Sequence, residues 1–257
     1  MSGNSTPVDS RWLRRYHPAP TAAAARLVCF PHAGGSAGYF HPVSAAVSPY
    51  AEVLCVQYPG RQDRRGEPGI VSIAELADRL YEVLRPCADR PLTFFGHSMG
   101  AVLAFEVARR FARDGLAAPA HLFVSGRRAP SVHREERVHL LSDEELLAEL
   151  LVLGGTSEQV LADPELREMI LPPLRSDYTA IETYPGAAGA VLDCPVTALT
   201  GDADSRVTVE EVRAWSGHTR GPFDLQVFPG GHFYLADQAP AVLGLLISQL
   251  VGAPAGR

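Results

Sequence analysis

The chain of 257 residues contains no lysine: all 23 of its cationic side chains are arginine. That absence removes Schiff-base chemistry, a Ser–Lys dyad and the P-loop lysine that holds a nucleotide's phosphates. Cysteine is scarce too, and Cys29, Cys55, Cys87 and Cys194 form no C-x-x-C pair. A redox dithiol or a zinc site is therefore not spelled out, and reduced core thiols are expected. Nowhere do 18 uncharged apolar residues run together, and Met1–Pro20 is polar and arginine-bearing rather than signal-like. A soluble, cytoplasmic protein with no membrane contact is the expectation. Positive charge is in deficit, with a formal net charge of −6. No broad basic surface is left for nucleic acid.

What is present is an ordinary globular composition, 46% hydrophobic, long enough for one domain over residues 1–257. From Arg26 onward short apolar runs alternate with helical stretches, which is how a mostly parallel sheet with crossover helices reads. The strand candidates are Leu27–Phe30, Val53–Tyr58, Leu92–Phe95, Leu122–Ser125, Val196–Thr200 and Leu225–Phe228. Ser72 with Glu75 spells a capping box ahead of Ile73, Leu76, Leu80 and Val83, which share one helical face. A second helix is predicted from Met99 to about Arg113, stopping before Gly115. Thr208 with Glu211 caps a short helix, Ala239–Leu250 closes the chain, and frayed ends are expected at 1–10 and 252–257.

The rhythm breaks between about 127 and 185, where no strand is readable. Ser142 with Glu145 caps a Leu-rich helix, and Pro164 opens another. A connection of that length is far beyond the usual 2–6 residues, so an all-helical lid inserted in the domain is predicted.

The strongest chemical signal is Gly96-His97-Ser98-Met99-Gly100, a G-x-S-x-G motif placed directly after one strand and directly before a helix. A nucleophile on so sharp a turn needs small flanking residues, and glycine supplies them on both sides. The helix opening at Met99 aims its unpaired N–H groups at the space above Ser98. This context predicts an α/β-hydrolase fold with Ser98 as nucleophile.

A serine needs a base, and the base needs an acid to orient it. In this fold the chain order is Ser, acid, His, with the His after the last strand. Of nine histidines, His232 in Phe228-Pro229-Gly230-Gly231-His232 fits that place. His218 precedes the last strand and is expected to cap a helix end, while His97 is expected to pack or bond locally. The acid should end the preceding strand, where Gly201-Asp202-Ala203-Asp204 stands. Asp204 is preferred to Asp202 because the turn gives the later carboxylate more room. Backbone donors for an oxyanion would come from Met99 and from Ala33 or His32, in the glycine-rich stretch Phe30–Gly38.

Taken together, Phe30-Pro31-His32-Ala33-Gly34-Gly35, Tyr58-Pro59-Gly60-Arg61, the Ser98 elbow, Gly201-Asp202-Ala203-Asp204 and Gly231-His232-Phe233 resemble the stand-alone type II thioesterases of polyketide and nonribosomal peptide synthesis. Leu171-Pro172-Pro173-Leu174-Arg175-Ser176-Asp177 adds to the likeness, which spans about residues 11 to 250. The resemblance implies a triad of Ser98, Asp204 and His232 that hydrolyses misloaded acyl groups from the phosphopantetheine arm of a carrier protein. No metal or redox cofactor is needed. Carrier proteins are typically acidic, so Arg61, Arg64 and Arg65, or Arg127 and Arg128, are candidates to guide docking. The same triad would serve a carboxylesterase, a lipase or a medium-chain fatty-acyl thioesterase, and a hydrolase-fold binding protein is the reading from another class.

Overall fold

The computed structural model describes residues 11–20, 25–117, 119–154, 159 and 162–252. Of the ends expected to fray, only Gly252 lies among them. Seven strands form one sheet: β1 (Leu13–Arg14), β2 (Arg26–Phe30), β3 (Glu52–Val56), β4 (Leu92–His97), β5 (His121–Ser125), β6 (Val196–Gly201) and β7 (Phe223–Phe228). Around it run α1 (His41–Val47), α2 (Ile73–Leu84), α3 (Met99–Arg113), α4 (Asp143–Val152), α5 (Pro164–Glu182), α6 (Val209–Arg213) and α7 (Ala239–Gly252).

The spatial order is β1-β3-β2-β4-β5-β6-β7, parallel throughout except that β1 pairs antiparallel with β3. Each of the six predicted strands is present, with ends shifted by a few residues. The short edge strand β1 is an addition: two residues offer no periodicity to read.

Strand alternation sorts the core into two layers. Val28, Phe30, Leu54, Val56, Phe94 and Val124 join residues of α2 and α3 in one cluster. Leu27, Cys29, Val53, Cys55, Phe95 and Phe123 join α1 and α7 in the other. Successive side chains point to opposite faces of a strand, and parallel strands are covered on both, so the runs are apolar without alternation. All four cysteines are free and buried. Phe105 on α3 is fully buried with its ring centroid 5.3 Å from that of Trp215; truncating it to alanine would cost about 3–5 kcal/mol.

The helix signals hold with one change. Ser142 and Thr208 form complete capping boxes with Glu145 and Glu211, whereas Ser72 only accepts from the Glu75 N–H, 3.3 Å away. Between β5 and β6 the described residues contain no named strand. α5 runs through Pro172 and Pro173, although an interior proline removes a helix N–H.

Chain order reverses between β2 and its neighbours: β3 lies on one side of β2 and β4 on the other. Such a switch opens a crevice at the carboxyl ends of the strands. The loop after β2 and the turn after β4 meet there.

Candidate active site

Ser98 occupies the turn between β4 and α3 with φ 54° and ψ −118°. Gln62 and Ser98 are the two described non-glycine residues at positive φ, a region that a residue with a Cβ enters at a cost. The surroundings enforce it. A Cβ at Gly96 would overlap the carbonyl oxygen of Gly100, and one at Gly100 would overlap that of Phe30. Helix α3 thus packs against the strands closely enough to hold the turn, and the Ser98 N–H donates to the Ser125 carbonyl at 2.7 Å.

Two loops bring the other candidates together. The His232 Nδ1 lies 2.9 Å from Oδ2 and 3.1 Å from Oδ1 of Asp204, and both side chains are buried. The backbone N–H of Arg206 donates to Asp204 Oδ1 at 2.8 Å, fixing the carboxylate from the other side. Asp202 plays a different part, accepting at Oδ1 from the Gly230 N–H at 2.9 Å and so tying the loop after β6 to the one after β7. The loops approach so closely that a Cβ at Gly201 would overlap the Gly230 carbonyl oxygen.

One cavity is lined by Ser98, His232, Ala33 and Met99 together with His32 and Phe233. The stretch between β5 and β6 adds Leu150 of α4, Leu153, and Tyr178, Ile181 and Glu182 of α5, with Arg127 and Glu136, to the lining. The two residues predicted to offer oxyanion donors thus border the same space as Ser98 and His232. Among the described residues no group of three or more His, Cys, Asp or Glu is placed to hold a metal ion.

Two further imidazoles flank His232. His97 is buried, its Nδ1 2.9 Å from Ser125 Oγ, and that hydroxyl lies 2.7 Å from the Tyr234 hydroxyl. The centroids of His97 and His232 are 5.1 Å apart. Burial holds His97 well below the usual imidazole range, helped by its histidine neighbours. Burial, His232 and Arg61 press His32 down to about 3. Both rings therefore stay neutral at physiological pH. The Ser125–Tyr234 link was not anticipated, because neither residue belongs to a motif that names it.

His218 caps no helix. It is buried, with Nδ1 2.8 Å from the Ala190 carbonyl and Nε2 2.9 Å from Ser131 Oγ, and so joins two loops.

The arginines proposed as carrier guides are mostly committed inside the fold. Arg61 is buried and bidentate to Asp177, at 2.6 and 2.8 Å, and donates to the Gly35 carbonyl at 2.9 Å. Arg64 is buried as well, its guanidinium 4.2 Å from the centre of the Trp12 ring and paired with Glu67. Arg128 is buried against Glu136, and Arg127 faces the cavity. Of the five, Arg65 alone is exposed. A buried, hydrogen-bonded guanidinium cannot steer a partner at the surface.

The family model of the thioesterase domain matches residues 25–250. The chain belongs to the thioesterase family. It is an enzyme acting on thioesters. This thioesterase is 48% identical to thioesterase PikA5 of Streptomyces venezuelae, over 100% of its own length and 93% of the relative's. It is 55% identical to a probable cadicidin biosynthesis thioesterase of Streptomyces griseus over 91% of its own length, and spans 64% of that relative. The solved structure of the type II thioesterase BorB from the borrelidin cluster superposes with a TM-score of 0.88 at 54% identity, covering 95% of this thioesterase and 99% of BorB. Homologues thus include type II thioesterases of polyketide and nonribosomal peptide pathways. The fold is that of the α/β-hydrolases. Among the described residues no helix is long and apolar enough to cross a membrane.

Proposed function

We propose that this thioesterase frees acyl groups from the phosphopantetheine thioester of acyl or peptidyl carrier proteins, by way of an ester on Ser98. The observation that carries the reading is the buried Asp204–His232 pair, at 2.9 Å, whose imidazole residue borders the same cavity as a serine held at positive φ.

In this scheme the Ser98 oxygen attacks the thioester carbonyl while His232 takes the hydroxyl proton. Asp204 keeps the proton of Nδ1 in place, leaving Nε2 free to act as base. The oxyanion is held by the backbone N–H groups of Ala33 and Met99, the latter at the positive end of α3. The C–S bond then breaks, His232 returns its proton to the departing thiolate, and the carrier leaves with a free thiol. Water, deprotonated by His232, attacks the Ser98 ester; His232 returns that proton to the departing Ser98 oxygen, and the acid is released. No cofactor enters any step.

The stretch over about 127–185 serves as the lid of a single hydrolase domain, a reading supported by Leu150, Leu153, Tyr178, Ile181 and Glu182 lining the cavity that Ser98 borders. The working place is the cytoplasm, beside the synthase whose carriers are cleared. Intact-mass measurement over a panel of acyl-carrier proteins tests the reading. Wild type should release free acid from short acyl carriers and Ser98→Ala should not. A strong preference for simple oxygen esters over thioesters would replace it with a carboxylesterase.

A further inference from the structure

Arg206 stands two residues past Asp204, and three of its groups are bonded to different parts of the fold. Its backbone N–H donates to Asp204 Oδ1 at 2.8 Å. The same oxygen lies 3.1 Å from His232 Nδ1, so the Arg206 peptide shares this carboxylate with the imidazole that the carboxylate orients. The Arg206 carbonyl accepts from Arg134 Nη1 at 3.1 Å, and the guanidinium pairs with Glu149 of α4.

Both outer anchors, Arg134 and Glu149, come from the stretch between β5 and β6. Arg134 is itself tied down: its Nη2 donates to Glu211 Oε1 at 2.5 Å, while Glu211 Oε2 accepts from the Thr208 N–H at 2.8 Å. On α4, Asp143 and Glu144 pair with Arg175 and Arg167 of α5 and so stay within the stretch, whereas Glu149 reaches across to the loop after β6. Helix α4 buries Leu146 and Leu147 and sends Leu150 to the cavity that Ser98 borders. With so little hydrocarbon holding the helix down, the bond from Glu149 to Arg206 counts for more in setting where it lies against the loop of Asp204.

Resting on the thioesterase reading above, we infer that Arg206 is a positioning residue: Glu149 and Arg134 hold it so that its N–H keeps the Asp204 carboxylate in line with His232. A carboxylate with one partner can turn about its Cβ–Cγ bond; a second donor on the same oxygen fixes it. The inserted stretch thereby helps to align the acid and base that Ser98 depends on. Misalignment of that pair weakens proton transfer rather than substrate binding, so it enters kcat and not KM. The ion pair itself adds little to the fold, since its side chains are 20% and 34% exposed. Alignment and stability can therefore be separated by substitution.

The test follows hydrolysis of acetyl and butanoyl N-acetylcysteamine thioesters, small substrates that need no carrier docking, together with the rate at which a fluorophosphonate labels Ser98. Glu149→Gln keeps the shape of the side chain and removes its charge. It should lower kcat by roughly tenfold with KM held within about twofold, slow the labelling by a similar factor, and leave the urea midpoint in place. Arg206→Gln should do the same, and the double variant should be no slower than either single one, because the pair acts as a unit. Reversing both charges, as Glu149→Arg with Arg206→Glu, should return most of the rate that each reversal alone removes. Since Arg206 also borders the cavity, equal losses on the two thioesters separate alignment from contact with the acyl chain. A loss carried by KM, a loss confined to the butanoyl thioester, losses that multiply in the double variant, or a folded Glu149→Gln enzyme with the wild-type kcat would each overturn the inference. Should one single variant not fold, the other and the charge-reversed pair decide. A wild type that labels and hydrolyses, matched in both by Glu149→Gln, defeats this inference only; a wild type that does neither defeats the thioesterase reading with it.

Discussion

Arg61 and Asp177 form a buried bidentate pair, at 2.6 and 2.8 Å, across 116 residues of chain. Asp177 Oδ2 also accepts from the Gly34 N–H at 2.7 Å, and Arg61 donates to the Gly35 carbonyl. The pair therefore clamps α5 to the loop that carries Ala33. Asp177→Ala leaves a buried guanidinium without its partner, and a loss of about 3–5 kcal/mol in unfolding free energy is expected from urea denaturation. Replacing both members, as Arg61→Met with Asp177→Leu, should restore part of that loss. Thioester hydrolysis should remain low in the double variant, because the loop is no longer held.

Gly100 lies where α3 crosses the end of β2, and a Cβ there would overlap the Phe30 carbonyl oxygen. Gly100→Ala should lower stability by about 3 kcal/mol or more. Thermal unfolding checks this against Gly115→Ala, whose Cβ would meet nothing within 4 Å; a milder loss, set by its φ of +68°, is expected there.

Asp204 and Asp202 separate by function. Asp204→Asn should keep the fold but reduce kcat by about 10⁴, since an amide facing Nδ1 favours the wrong tautomer of His232. Asp202→Asn retains an oxygen to accept from Gly230 and should reduce kcat by less than about tenfold. Steady-state rates on one thioester decide between them; equal losses would contradict the assignment.

Acid should weaken the fold through its buried histidines. Burial holds His121 at about 4 and His32 at about 3, against an ordinary value near 6.5. Above about pH 6.5 both folded and unfolded chains leave these rings neutral, so they cost nothing. Below it the unfolded chain binds protons that the folded chain refuses, and stability falls as pH drops from about 6.5 toward 4 and 3. His121 makes one ring bond, Nε2 to Thr197 Oγ1 at 2.8 Å. His121→Phe should therefore flatten part of the decline in urea midpoint between pH 7 and pH 5; an unchanged slope would contradict its share.

Legibility followed the range of each interaction. The parallel strands could be read because covering both faces makes each an unbroken apolar run, as in Leu27–Phe30 and Val53–Val56. Capping residues act on N–H groups three positions away and were readable for the same reason. The Arg61–Asp177 pair was not: both residues stood in stretches that carry the family likeness, but nothing local says that they meet. The buried arginines were misplaced for a related reason, because arginine is ordinarily a surface residue and its burial depends on distant acceptors. Helix α5 continues through Pro172 and Pro173 where a local rule expects a break. Its burial of Leu174, Asp177, Ala180 and Ile181 along one side is the packing that offsets the lost N–H groups.

The most direct test is the rate at which Ser98→Ala hydrolyses a butanoyl-carrier protein, followed by intact mass beside wild type. The account predicts a fall of about 10⁴-fold or more with the unfolding transition unchanged, and a butanoyl adduct on the Ser98 peptide when wild type is quenched during turnover. A folded Ser98→Ala enzyme that still releases butyrate at near the wild-type rate would contradict it.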